Sequence, residues 1–145
     1  MAGLVAFLLA HLAYLIGFNT PIPQISAWGF FLAIMVGLGG MRTIRRIIAA
    51  LVANGQARMR TPIIIYGTVI SLMLLSAMMK LTDFTWNAGA AALVSVGAFL
   101  FYVSDIILAW HKFVAPIKYG RIYNIGAYHL GQIILIAGVI TRLGR

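Results

Sequence analysis

The run "FLFYVSDIILAWHKF" (99–113) is apolar over most of its length yet holds a carboxyl near its middle, Asp105. The chain has only two acidic residues, and the other, Asp83, lies in "KLTDFTW", which reads as a loop with Asp83 as a helix cap. A charged carboxylate in hydrocarbon costs several kcal/mol unless it is protonated, paired or wet, so an intramembrane carboxyl is by default a functional group. The bland alternatives for Asp105 are an ion pair with Lys112 or a helix-packing device. Other chemistry-bearing side chains sit in similarly apolar surroundings: His11, Tyr14, Tyr66, Ser104, Tyr128, His129 and Gln132. In its neutral form a carboxyl can donate a proton, an imidazole can accept one from water, and phenol and amide groups can orient a substrate. Each also has a plainer role. His11 suits a satisfied core histidine, Gln132 suits interhelical glue, the tyrosines suit packing or the interface, and His129 suits contact with lipid headgroups.

Several chemistries lack their signatures. There is no cysteine, hence no disulfide or thiolate site. No G-x-S-x-G, H-E-x-x-H or Walker pattern occurs, and no two His or Asp residues have ligand spacing on a helix. No metal and no cofactor are therefore expected.

The elements that must position these residues follow from composition. The 145 residues are 63% hydrophobic and 9% charged, against roughly 45–50% and about 25% for soluble domains. Long unbroken apolar runs, rather than alternating ones, predict helices and not an outer-membrane barrel. The expectation is an all-α, polytopic transmembrane bundle of about five spanning helices, a single domain over 1–145. The predicted segments are Ala2–Phe18, Ala27–Ala53, Pro62–Leu81, Asn87–Trp110 and Ile122–Ile140. "NTPIPQ" (19–24) reads as a Pro-rich turn, with Ser26 capping the second segment. That segment is expected to span as far as "GLGG" (37–40), a flexible helix end, and to continue as a basic amphipathic stretch too short and too charged to cross again.

The net charge of +9 resides at predicted helix ends. It reads as a topology signal and anionic-lipid contact rather than as a nucleic-acid surface. Eight of the eleven basic residues follow segments two and four (Arg42, Arg45, Arg46, Arg58, Arg60, Lys112, Lys118, Arg121), against Lys80, Arg142 and Arg145 on the opposite side. Both basic loops are thus cytoplasmic, with the N-terminus inside and the C-terminus outside. The expected location is a bacterial inner (cell) membrane, as a multi-pass integral protein. Nothing in the pattern specifies an oligomer.

With that orientation Asp105 lies about six residues, roughly 9 Å, from the cytoplasmic end of its helix, and Tyr66 lies at a similar depth. Tyr128, His129 and Gln132 fall in the cytoplasmic half of segment five, and His11 near the middle of segment one. Glycerol and the first chain carbons of a lipid occupy this level. Asp105 shares a face with Gly97, Phe101, Leu108 and Lys112, and Gly97 admits a close neighbour helix. Ser104 is positioned to donate a hydrogen bond to Asp105. Tyr128 and Gln132 share a face that is expected to meet Asp105.

The motifs resemble those of a known family. "GLVAFLLAHLAYLIGF" resembles the G-L-x-x-F-L-x-A-H-x-x-Y-x-x-x-F helix of the YhhN family, the lysoplasmalogenase-like membrane proteins. "PIIIYGTVISLMLLSA" is similar to its P-x-x-x-Y-x-x-x-I-x-x-M-x-x-x-A helix, through Pro62, Tyr66, Ile70, Met73 and Ala77. "VGAFLFYVSDIILAWHKFVAP" resembles its Ser-Asp helix, through Gly97, Phe101, Ser104, Asp105 and Leu108, and "YHLGQIILIAG" its terminal Y-Y-x-x-Q helix, with His129 in place of the second Tyr. The family pattern has about eight spanning helices, with a further Gly-Asp motif on a helix ahead of these four. The present chain corresponds to the C-terminal part of that pattern.

The resemblance implies hydrolysis of the vinyl ether of a lysoplasmalogen, giving a fatty aldehyde and a glycerophospho-alcohol. Asp105 would supply the proton, His11 or the Asp of the family's Gly-Asp motif, which partners the Ser-Asp carboxyl in that pattern, would activate water, and Tyr14, Tyr66, Ser104, Tyr128, His129 and Gln132 would orient lipid or water. Lys112 would hold the phosphate of the lysophospholipid. Two other classes remain: a non-catalytic lipid-binding or partner protein, and a small-solute transporter. A transporter requires polar groups across both leaflets, whereas here they thin toward the outer side.

The charge asymmetry makes a direct prediction. Cysteines placed at Gln56 and Ala115 should react with an impermeant thiol reagent only after the membrane is opened. Labelling of either in intact cells would reverse the orientation.

Overall fold

The computed structural model describes residues 2–20, 22 and 26–144, with side chains from residue 5 onward. Five helices make up the fold: α1 (Ala2–Phe18), α2 (Ala27–Ala53), α3 (Arg60–Met79), α4 (Ala88–Phe113) and α5 (Gly120–Leu143). Short 3-10 turns at Ala57–Met59 and Lys80–Thr82 flank α3, and no strand occurs among the described residues. α2, α3 with its flanking turns, α4 and α5 are long and apolar enough to cross a membrane. The 17 residues of α1 reach about 25 Å, at the short end of the spanning range. Half of the predicted turn over 19–24, residues 21, 23 and 24, lies outside the described residues.

Local chemistry accounts for the helix ends. Ser26 Oγ accepts from Gly29 N at 3.0 Å and starts α2. Asn87 Oδ1 accepts from Ala90 N at 2.7 Å and starts α4. Asp83 caps no α-helix, but it is the C-cap of the 3-10 turn Lys80–Thr82, its N–H donating to Lys80 O at 3.3 Å. It closes the α3–α4 turn by accepting from Thr85 N (3.0 Å), Thr85 Oγ1 (2.6 Å) and Lys80 Nζ (2.9 Å). Partial burial opposes its charge, but the hydrogen bonds from Thr85 and Lys80 prevail and hold its carboxyl down at about 2.

The glycines of "GLGG" are not a helix end, because α2 runs through them without a break. The balance is physical: a mid-helix glycine costs about 1 kcal/mol, whereas an unsatisfied backbone group in hydrocarbon costs several. Arg42, Arg45 and Arg46 therefore ride on the helix itself, and the chain turns only at Asn54–Gln56, where Gly55 takes φ 70°.

Helix directions alternate. Ser95 Oγ donates to Ala77 O (3.0 Å) near one end of the α3–α4 seam, while Tyr66 meets Asp105 further along it, so α3 and α4 are antiparallel. α1 runs parallel to α3, with His11 beside Tyr66 and Asn19 Nδ2 donating to Ser76 Oγ (2.8 Å). The C-terminal ends of α2 and α4 and the N-terminal ends of α3 and α5 thus gather at one end, carrying the eight basic residues.

α4 and α5 make the closest pair. A Cβ on Gly97 would lie 2.5 Å from Leu135 N, one on Gly138 2.8 Å from Val94 N, and one on Gly131 2.9 Å from Phe101 N. Without a hydrophobic driving force between helices in lipid, such backbone-to-backbone packing holds them together. Gly97→Val should therefore destabilise the bundle by about 1–3 kcal/mol, measured by thermal or denaturant unfolding in detergent. Gly126→Ala, where nothing lies within 4 Å of the new methyl group, should be neutral or slightly stabilising. Equal stability of Gly97→Val and the parent would disprove the close packing.

Candidate functional site

A cavity of about 510 Å³ lies between α2, α3 and α4, with α5 and Phe7 of α1 contributing to its wall. Asp105 lies on its lining. α4 continues to Phe113, so Asp105 sits about 12 Å inside the helix end rather than about 9 Å.

Three side chains converge at the cavity wall: Tyr66 and Asp105 line it, and His11 lies behind them. Tyr66 Oη donates to Asp105 Oδ2 at 2.5 Å. Oδ1 of Asp105 has no hydrogen bond and is not among the buried polar atoms, leaving it open to the cavity. His11 approaches from α1 and is only 1% exposed. Its Nδ1–H donates to the Phe7 carbonyl at 2.6 Å, which assigns the proton to Nδ1 and leaves the Nε2 lone pair free. Nε2 faces Asp105 Oδ2 at 4.0 Å, beyond hydrogen-bond reach, and has no other partner. The imidazole is held edge-on to Phe101 (4.7 Å between centroids) and Tyr66 (5.6 Å). Asp105 thus has a phenol on its α3 side, an imidazole on its α1 side and open space in front.

Tyr128 and Lys112 line the same cavity. Tyr128 packs on Phe7 and Phe101, and Lys112 Nζ lies 5.3 Å from the Phe113 ring. The remaining residues singled out in the sequence lie elsewhere. Gln132 does not meet Asp105; its Oε1 accepts from Tyr14 Oη at 3.1 Å, one helical turn beyond Tyr128. His129 is exposed on the outside of α5, about 100° around the helix from Tyr128. Ser104 is buried and donates to its own helix at Phe101 O (2.7 Å) instead of to Asp105, as helical serines commonly do.

Two lining residues escape the sequence reading although a signal exists for each. Asn124, four residues before Tyr128 on the face that continues to Gln132, donates from Nδ2 to Ser104 O at 2.8 Å. Tyr102, one turn before Asp105, also lines the cavity. Gly40 and Thr43 of α2 join them, and nothing in their types announces it. Among the described residues no three His, Cys, Asp or Glu side chains come together as a metal site would require.

The fold and the cavity define a class: a multi-pass helical membrane protein with one carboxyl of a candidate spanning helix, Asp105, on a cavity wall. The chain belongs to the YhhN family, whose family model matches residues 1–139. It is 28% identical to lysoplasmalogenase TMEM86B of Mus musculus over 98% of this chain and 54% of that protein. With the Rattus norvegicus lysoplasmalogenase TMEM86B the identity is 26%, over 98% and 53%. The chain therefore spans about half the length of these curated relatives. No solved structure matches it.

The Tyr66–Asp105 bond is open to spectroscopy. The infrared carboxyl stretch of Asp105, identified by its loss in Asp105→Asn, should shift to higher frequency in Tyr66→Phe. That variant should also lose about 1–3 kcal/mol of stability, the cost of a broken buried hydrogen bond. An unmoved band would mean the bond is not made.

Proposed function

We propose that this chain carries the site of a lysoplasmalogenase-like hydrolase, which cleaves the vinyl ether of a lysoplasmalogen to a fatty aldehyde and a glycerophospho-alcohol. The observation that carries the reading is Asp105 itself. One oxygen is held by Tyr66 and the other opens on the cavity. Family membership and the names of the two mammalian relatives support it.

The chemistry runs as follows. The neutral Asp105 carboxyl gives its proton to the outer carbon of the C=C–O unit, and the ether oxygen lone pair forms the C=O⁺ bond of an oxocarbenium ion. The resulting carboxylate stabilises that cation electrostatically. Water adds to the cationic carbon and returns a proton to Asp105, leaving a hemiacetal. Breaking of the hemiacetal C–O bond, with proton transfer from its hydroxyl to the glycerol oxygen, releases aldehyde and alcohol. Tyr66 stabilises the carboxylate stage by donating to Oδ2. His11 is off the cavity lining, so any effect runs through Asp105: its unpaired Nε2 lies 4.0 Å from Oδ2, a neighbour of the carboxyl rather than a contact of the lipid. Lys112 and the basic end attract the phosphate.

The transporter reading fares worse. A packed layer that includes Phe18, Met73, Ala77 and Val94 fills the bundle toward the outer end, where a solute path would need polar groups.

The test is aldehyde release from a lysoplasmalogen by the purified protein in phospholipid vesicles. The ester lysophospholipid should be spared, because the cavity presents no acyl nucleophile with an oxyanion hole. Asp105→Asn should lower turnover by about 10²-fold or more while keeping the folded bundle. Full activity in folded Asp105→Asn would eliminate proton donation by this residue.

A further inference from the structure

The cavity does not end at Asp105. Gly40, Thr43, Tyr102 and Ile106 line both it and a second space of about 290 Å³ that continues outward between α2, α3 and α4. Past those four shared residues the character changes. Leu32, Met35, Gly39, Leu74, Met78 and Phe99 line the continuation, with no polar side chain among them. The two spaces lie end to end across these shared residues, where Tyr102 Oη would lie 3.4 Å from a Cβ on Gly40, and they give a cleft with Lys112 and Asn124 at its basic end, the carboxyl partway along and hydrocarbon beyond. From Ile47 to Leu32 along α2 the cleft runs about 22 Å, the depth of one leaflet with its headgroup. Buried Leu32 stands at the far end, while Met35 and Phe99 are more than half exposed, so the groove opens sideways toward the bilayer.

Adjacent glycines of α2 create this shape by doing opposite things. Gly40 draws α2 onto α3, since a Cβ there would lie 2.9 Å from Ser71 Oγ. Gly39, one residue before it, faces the groove, and nothing lies within 4 Å of a Cβ built on it. One glycine holds the helices together and its neighbour leaves the gap unfilled.

We propose that the groove along α2 receives the hydrocarbon chain of a single-chain phospholipid whose phosphate rests at the Lys112 end, and that Gly39 determines how long a chain is accepted. The occupant follows from three features: continuity with the carboxyl cavity, positive charge at one end only, and room for one chain beside α2. The inference rests on the hydrolase reading only in taking the reacting lipid as the occupant.

The test uses non-hydrolysable alkyl-ether lysophospholipids with short, medium and long saturated chains, competing with a photoreactive long-chain analogue on the intact protein in nanodiscs. Gly39→Leu should weaken binding of the longest chain about tenfold, the effect of expelling about two methylenes from apolar contact, and should leave the shortest unchanged. Leu is a better helix former than Gly, so the substitution does not threaten α2. Gly37→Leu is the control: it also meets nothing within 4 Å but lies off the groove lining, and it should keep the parent chain-length profile. An unchanged profile in Gly39→Leu, or an equal change in Gly37→Leu, overturns the proposal. A shifted profile in a protein that releases no aldehyde would uphold the groove and remove the hydrolase reading. Aldehyde release with an unshifted profile would do the reverse.

Discussion

At three positions along the α4–α5 seam there is no room for a methyl group. Gly97, Gly131 and Gly138 let one backbone lie against the other, and the rest of the bundle is arranged around that contact. It sets the rotation of α5, turning Tyr128 and Asn124 toward α4 and His129 away. It also places Phe101 where Phe7, His11 and Tyr128 pack on it. In hydrocarbon, where apolar surface gains nothing by leaving lipid, contact of this kind is the main available source of helix association.

Polar groups inside such a bundle must find partners, and most do so across helices. Tyr14 pairs with Gln132, Tyr66 with Asp105, Asn124 with the Ser104 carbonyl, and Ser95 with the Ala77 carbonyl. Each bond joins two helices as well as satisfying a group. His11 Nε2 is the exception, the one buried side-chain nitrogen or oxygen without a partner among the described residues. It sits against the only carboxyl in the cavity. An orphan of this kind costs about 1–3 kcal/mol, and its location beside Asp105 ties that cost to the site rather than to packing.

The two ends of the bundle are built differently. At the end opposite the basic loops Lys80 is buried against Asp83, and Trp86 lies between Lys80 and Arg142, so the charges among the described residues there are engaged. At the basic end Lys112 lines an open cavity that passes Asp105 and continues into apolar space. A gradient from charge through a carboxyl to hydrocarbon matches the long axis of a single-chain lipid, which gives the hydrolase reading and the chain groove a common physical basis.

Membrane class and helix number were determined by the sequence itself, because they depend on local quantities: run length, hydropathy and the 3.6-residue period. The cap at Ser26 and the close approach at Gly97 were legible for the same reason. The tertiary structure alone decided which polar groups meet. Asp105 and Gln132 share a depth range, but only the rotation of each helix about its axis determines that Asp105 takes Tyr66 and Gln132 takes Tyr14. The unbroken course of α2 through Gly37–Gly40 likewise followed from the surroundings, where a helical bond outweighs glycine's weak propensity. The α2 wall of the cleft was invisible in sequence, since Gly39, Gly40 and Thr43 matter for the space they leave, and empty space has no residue type.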